Sequence, residues 1–563
     1  MVSQILIVMI AAIAVTLIAE RRGIQAPLLL ALVGLAASFI PRLPRLELEP
    51  EIILTVVLPP LLFSAASEFS LISFVRRLGS IFNLGVFLVA VTTAVVGAVA
   101  AGIMPGMTLG VALVLGAVVS PPDAVTAVAV GRKLKLPSRL MTVLKGESLI
   151  NDAAALTLFT FAAASVSGAH LLIPNLFLYL LYSAVVGIVV GLAIAVIVQR
   201  LRRRLTNPSL ATVLSVLVPF VAYILAEEIG ASGVLAVVAA GFSLGHNATA
   251  ATYDARIQER QFWRTADALL EAFVFAYIGL QFRWVIEDAQ EKGFDLLQLL
   301  GLSLLVLLAV IVVRVAWVFF TAGLSRWRAR ANAERLAHPR PARRGRERPQ
   351  RLGRPGPARR ERQGGFELLP PFTWQENLVI AWTGMRGVVT LAAAAGIPLV
   401  TATGAAFPGR DVIQVVAFVV TIGTLLIQGL TLPWLIGTLK VADPNEEKLR
   451  AAQRKLGDDL ARQATLAAIT AFRDRQTDER PRRMADMMLK RIEAQRQRDS
   501  EPMASAGDEL LGSLAGEMLT ARRAALVKAR DDRLLDDEVM REMLEEMDFE
   551  QAVMETWTPG RFR

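Results

Sequence analysis

The sequence predicts an all-α polytopic membrane protein with about thirteen transmembrane helices and a soluble helical tail. Three observations carry that expectation. The chain of 563 residues is 54% hydrophobic, with a mean hydropathy of +0.49. Runs such as "ILIVMIAAIAVTLIA" (5–19) and "LLGLSLLVLLAVIVV" (299–313) approach the length of about 20 apolar residues that spans a bilayer as helix. Lys and Arg, finally, crowd into alternate connections between such runs.

In order, the expected spans lie near 3–20, 25–40, 52–68, 82–103, 107–130, 138–165, 175–199, 209–229, 231–246, 266–282, 297–324, 376–398 and 411–439. The first is read as a retained helix, because "ERRG" follows it where a signal peptide would carry small residues for cleavage. The fifth is read as broken. "VVSPPDAV" (118–125) puts two prolines and Asp123 in its middle, and proline lacks the N–H that a continuous helix needs. Such a break must face protein or a water-filled cavity rather than lipid.

The odd-numbered connections carry Arg21 and Arg22; Arg76 and Arg77; Arg132, Lys133, Lys135 and Arg139; Arg200, Arg202, Arg203 and Arg204; and Arg256, Arg260 and Arg264. Those after spans four, six and eight carry none. Arg42 and Arg45 are diluted by Glu47 and Glu49, and Arg283 and Lys292 lie among acids. The positive-inside rule then predicts a plasma-membrane protein with its N-terminus outside and its C-terminus in the cytoplasm. "NAT" at 247–249 falls inside and is no glycosylation site.

The expected domains are 1–440, a transmembrane unit, and 441–563, a cytoplasmic and mostly helical tail. Residues 325–370 read as a basic, Pro/Gly-rich, disordered linker. Its place between two spans favours anionic lipid over nucleic acid as its contact. The tail interleaves charged and apolar residues at helical spacing. It can pair with a second copy, lie on the membrane unit or regulate it, through a ligand or partner; the sequence does not choose. The chain has no cysteine and three histidines. That excludes disulfides, thiolate metal sites and cysteine nucleophiles, and argues against a histidine metal centre. No cofactor is expected.

The chemistry concentrates in "GESLINDAAA" (146–155). An Asp at a helix centre costs about 3 kcal/mol to insert, so intramembrane acids usually face a polar interior and mark an ion or proton path. Residues four apart share a helix face. Ser148 and Asp152 form one stripe, a hydroxyl and a carboxylate, the hard oxygens that a small cation prefers. Glu147 and Asn151 form the adjacent stripe, suited to structural bonds. Asp123 at the proline break, with freed backbone carbonyls around it, is the second part of a cation site. A third part lies in "AWTGMRGVVTLAAAAG" (381–396), where Arg386 is buried between Gly384 and Gly387. An unpaired guanidinium there is costly, and Glu147 is the expected partner. Glu227, Glu228 and Glu271 are read as helix-end acids. For Arg314, inside the eleventh span, snorkelling or a tail contact weighs as much as function.

"GESLINDAAAL", "SPPDAV", "GMRGVVTLA" and "LPPLLF" (58–63) together resemble the NhaP/NHE-type monovalent cation:proton antiporters, over roughly residues 1–440. The resemblance implies a homodimer of thirteen-helix protomers, each with a dimerisation domain and an inverted-repeat core of six helices. Two of these cross and are partly unwound. It implies ion and proton binding by Asp152, Ser148 and Asp123, with the backbone carbonyl of Pro122. It assigns structural roles to Asn151, holding the unwound fifth span, and to Glu147 bridging Arg386. Two departures stand out. Here the prolines precede the acid at the break, where relatives often have Asp-Pro. Some relatives also carry an acid directly after "LPPLLF", where this chain has Ser64; Glu68, one turn later, is either a substitute ligand or a helix cap.

The function so implied is exchange of a monovalent cation, Na+ first, K+ or Li+ otherwise, for H+ by alternating access. Competition at one carboxylate would couple the two, and an Asn-Asp pair implies one-for-one, electroneutral exchange serving pH and sodium homeostasis. Two other classes are weighed against it. A cation channel needs repeated polar rings along a pore, and the acids here are concentrated at mid-membrane. An intramembrane paired-aspartate hydrolase has only Asp123 and Asp152 in its favour, with no HExxH or GxSxG.

Overall fold

The computed structural model describes residues 2–23, 25–41, 52–104, 106–168, 173–205, 207–291, 295–337, 371–441, 444–494 and 509–557. The expectations for Arg42, Arg45, Glu47, Glu49, Lys292 and linker residues 338–370 lie outside them. Among the described residues the regular elements are helical, with one isolated bridge between Val400 and Ala406.

The membrane unit begins with α1 (Val2–Arg22), α2 (Ala26–Ser38) and α3 (Ile53–Glu68), whose first turn is a π-turn. A short α4 (Leu71–Arg76) leads into α5 (Leu78–Ile103). The fifth expected span is two half-helices, α6 (Leu109–Val119) and α7 (Val125–Lys133), as its prolines demand. Then come α8 (Ser138–Ser167), α9 (Leu176–Arg202), α10 (Pro208–Glu228) and α11 (Gly233–His246). The twelfth expected span is also split, into α14 (Trp374–Trp382) and α15 (Val388–Ala395), and α16 (Arg410–Leu439) closes the unit. Among the described residues eight helices are long and apolar enough to cross a membrane: α1, α5, α8, α9, α10, α16 and the two that lie between α11 and α14, α12 (Tyr253–Glu291) and α13 (Leu296–Ala337).

Two helices outrun the sequence reading. α12 (Tyr253–Glu291) and α13 (Leu296–Ala337) extend well past their apolar cores. The first thirteen residues of the basic stretch, 325–337, are therefore helix rather than linker, because no helix breaker intervenes before Pro339.

Side-chain packing divides the unit into two bodies. The first gathers α1, α2, α5, α6, α7, α13, α14, α15 and α16 around residues such as Leu115, Phe275 and Ile413. The second gathers α3, α9, α10 and α11 around Phe63, Val218 and Val237. α3, α5 and α8 reach into both: Ile53 and Val57, Leu84 and Leu88, and Leu140, Val143 and Phe159 pack into the first body, Phe63, Ile81, and Leu149 and Ala153 into the second. α12 also runs between them, with Trp263 in the second and Ala272–Ile278 in the first. Its contact with α2 is close. A Cβ on Gly279 would stand 2.3 Å from the Ala31 carbonyl oxygen, so only small residues fit this crossing.

After the membrane unit, α17 (Pro444–Arg475), α18 (Glu479–Ala494), α19 (Glu509–Asp531) and α20 (Asp537–Trp557) form the tail, with its own small cores around Leu526 and Phe472. The tail lies on the membrane unit at the end where α3, α7 and α11 finish and α8 begins. This end is the tail face of the unit.

Candidate functional site

The two interrupted helices meet at their breaks. The Asp123 N–H donates to the Met385 carbonyl at 2.6 Å, tying residues 120–124 to residues 383–387. Each break exposes the end carbonyls of one half-helix and the first N–H groups of the next. Charges sit accordingly. Arg386 donates through Nε to the Val119 carbonyl at 3.0 Å and through Nη2 to the Ser120 carbonyl at 3.3 Å, which closes the C-terminal end of α6. Its Nη1 donates to the Gly384 carbonyl, and its backbone N–H to Thr424 Oγ1 at 3.0 Å. Asp123 takes the opposite pole: Oδ1 accepts from the Val125 N–H at 2.8 Å, at the start of α7. Cations at helix C-termini and anions at N-termini are the favourable pairing, so the crossing carries its own charge compensation.

Gly387 is what lets Asp123 in. A Cβ there would lie 1.9 Å from Asp123 Oδ2. Gly387→Ala is therefore expected to displace the carboxylate and to cut exchange in proteoliposomes by an order of magnitude or more, with the purified protein still monodisperse. Wild-type flux in this variant would show that the position of Asp123 is not critical.

Glu147 does not pair with Arg386. Its partner is Arg314 of α13, which donates through Nη2 to Glu147 Oε2 at 3.0 Å and through Nη1 to Oε1. Both side chains are buried, at 1% and 2% exposure. Arg314 Nε also donates to the Ile380 carbonyl in the last turn of α14 at 3.2 Å. The reason for the difference is that Arg386 finds backbone carbonyls enough for its guanidinium, whereas Arg314 crosses α8 directly. Snorkelling and tail contact, the other readings of Arg314, do not apply.

The two stripes of α8 then differ in kind. Glu147 and Asn151 are bonded to protein: Asn151 Nδ2 donates to the Pro122 carbonyl at 2.6 Å, gripping the first break. That carbonyl, read from the resemblance as an ion ligand, is here an acceptor for Asn151. Ser148 and Asp152 carry no side-chain hydrogen bond or ion pair to another described residue, and Asp152 is 7% exposed. Asn151 Oδ1 is buried without a donor. Ser148 and Asp152 lie one turn apart on one face of α8, and their oxygens are hard donors of the kind a small cation prefers.

Glu68 ends α3 and is exposed, on the wall of a cavity at the tail face; no contact joins it to Asp152 or Asp123. Ser64, one turn deeper, donates its hydroxyl to Asp267 Oδ2 of α12. Glu271 stands one turn further along α12, in the middle of that 39-residue helix and not at its end. Asp267 is a site acid that is not among the sequence candidates; its spacing of four from Glu271, which puts both acids on one helix face, is the signal that points to it. Glu227 and Glu228 do end α10, and Glu227 Oε1 accepts from the Gly233 N–H at 2.9 Å.

Two interrupted helices crossing beside a buried carboxylate, at the boundary of two packed bodies, define an ion-coupled membrane transporter. Comparison with known proteins gives the family. A family model described as "Sodium/hydrogen exchanger, transmembrane" matches residues 6–437, and the chain belongs to that family of integral membrane sodium/proton antiporters. An uncharacterised Na+/H+ exchanger of Mycobacterium tuberculosis is 31% identical over 97% of this chain and 95% of its own length. A sodium, potassium, lithium and rubidium/H+ antiporter of Bacillus pumilus is 29% identical over 77% of this chain and 61% of its own. The fold is similar to that of the sodium proton antiporter MjNhaP1 from Methanocaldococcus jannaschii, with a TM-score of 0.56 over 78% of this chain and 97% of that one, at 19% identity.

Proposed function

We propose that this antiporter exchanges Na+ for H+ one-for-one, with Asp152 holding either the cation or the proton. The observation that carries the reading is the contrast between the stripes of α8. At the two breaks Glu147 is engaged by Arg314 and Asp123 by the Val125 N–H. Asp152 is buried and has no bonded partner among the described residues, an arrangement that costs free energy unless a proton or a cation occupies it. The site's two ligands thereby exclude each other, and exclusion is the coupling.

Counting each interrupted pair once and leaving out the six-residue α4, thirteen helical segments are proposed to cross the plasma membrane, with the arginine-rich tail face in the cytoplasm. Alternating access is proposed as a shift of the first body against the second. Leu149 and Ala153, on either side of Asp152 along α8, pack into the second body and Leu140, Val143 and Phe159 into the first, so a small displacement would change which side reaches the carboxylate. Ser64 and Asp267 together would supply the acid that relatives carry after "LPPLLF", from α12 instead of α3. Two copies would form the homodimer. K+ and Li+ are the other cations to be compared.

The experiment is proton flux in proteoliposomes under an imposed pH gradient, with Na+, K+ and Li+ added in turn and with the membrane potential clamped at zero or at an inside-negative value. One-for-one exchange moves no net charge, so the rate is expected to be the same at both potentials. A rate that rises with potential would refute the stoichiometry; a steady single-channel conductance would refute exchange.

A further inference from the structure

The stripe of α8 that carries Ser148 and Asp152 does not stop at Ser148. By the helical repeat it continues through Lys145 and Met141. Lys145 stands two turns before Asp152, so the two side chains leave one face of the helix about 10 Å apart along its axis. Lys145 and Met141 both line a cavity of about 1140 Å³ at the tail face. Lys145 is the last α8 residue on that wall, with Ser148 and Asp152 beyond it. Tail helices roof the cavity, joined to the membrane unit by the Arg256–Asp548 and Lys135–Glu447 ion pairs. One helix face therefore leads from the cavity to the buried carboxylate, with a lysine on the way.

An ammonium group inside a membrane helix is costly and usually pairs with an acid. Lys145 is half-buried and makes no hydrogen bond or ion pair with another described residue. The acids near it in sequence and space are otherwise engaged or screened. Glu147 is committed to Arg314, and Glu446 accepts from the Ser138 N–H at 2.6 Å. Glu68 is exposed at the end of α3, where water and salt screen its charge. Arg132, in the last turn of α7, adds a second cation to the cavity wall, also without an ion pair among the described residues.

We infer that Lys145 is a tethered cation that sets how tightly the transported ion is held: its ammonium repels the cation bound at Asp152, keeps that binding loose and so favours release to the tail face. The inference rests on the exchange reading above. At a separation of about 10 Å and an effective dielectric constant of about 20, the repulsion changes the affinity on the order of tenfold; through open water it is about twofold. A carrier must let its ion go in every cycle, and where release limits the rate a looser site turns over faster. The repulsion acts on charge and not on size. It loosens Na+, K+ and Li+ alike and leaves the choice among them to the ligands.

The test uses the full-length protein in proteoliposomes, in alkaline buffer so that protons compete little. It reads the KM for Na+ and the limiting rate of cation-driven proton flux. Lys145→Met is expected to lower the KM several-fold, with the limiting rate unchanged or lower, and Lys145→Arg to keep the wild-type KM. The shift is expected to be the same fold for every cation transported. A second arm uses the absence of native cysteine. Lys145→Cys is labelled with aminoethyl methanethiosulfonate, which restores an ammonium, or with ethyl methanethiosulfonate, which is neutral and of similar size. The first label is expected to raise the KM towards the wild-type value and the second to leave it low. Both forms come from one preparation, so any effect of the substitution on folding cancels. The same KM in every form, or a KM that shifts without regard to charge, overturns the role of Lys145 and leaves exchange intact. No cation-driven flux in wild type overturns the exchange reading, and this inference with it.

Discussion

Arg314→Ala is expected to leave little folded protein. Removing one partner of a buried ion pair typically costs about 3–5 kcal/mol, because the other charge stays in a dry interior. Net stabilities of folded domains are only about 5–15 kcal/mol. Arg314 also closes the last turn of α14 through the Ile380 carbonyl, so the substitution frees a second group. Glu147→Ala is expected to do similar harm, since Arg314 would then keep a charge with one backbone acceptor. Replacing both together, Glu147→Gln with Arg314→Met, removes the two charges at once and is expected to recover much of the loss. Thermal unfolding of detergent-purified protein reads all of these. A single variant with unchanged Tm would contradict the pairing.

Asp152→Asn is expected to do the opposite: exchange lost, fold kept. The carboxylate makes no hydrogen bond to another described residue, so an amide of the same shape breaks no contact. It also removes a buried charge, and Tm is expected to stay level or rise. Flux is expected to fall to that of empty liposomes, because an amide can neither take the proton nor neutralise the cation. Loss of flux together with a large drop in Tm would mean that Asp152 is structural.

Much of this site was legible in the sequence, for physical reasons. The double proline at 121 and 122 removes two N–H donors from the fifth span and favours its break, although Pro59 and Pro60 are carried inside α3 after a π-turn. The stripes of α8 followed from a period of 3.6 residues, and that period does put Glu147 and Asn151 on the side that bonds to protein. The partner of Glu147 was not legible. Arg314 and Arg386 both sit in apolar spans, and which one meets Glu147 depends on how α13 and α14 cross α8. Glu271 was misplaced because the charged first half of α12, with Arg256, Glu259, Arg260 and Arg264, hides how far the helix extends beyond its apolar core. The pairs Arg256–Asp548 and Lys135–Glu447 join residues nearly three hundred or more apart, and no local pattern announces them.

The central claim is that one carboxylate serves both ions. The most direct measurement is proton release when Na+ is added to the purified protein, read by titration calorimetry in buffers of different ionisation enthalpy. If Asp152 is shared, binding releases a proton at low pH, the apparent affinity falls as pH falls, and Asp152→Asn abolishes the release. Na+ binding with no proton released at any pH, or the same release from Asp152→Asn, would contradict the account.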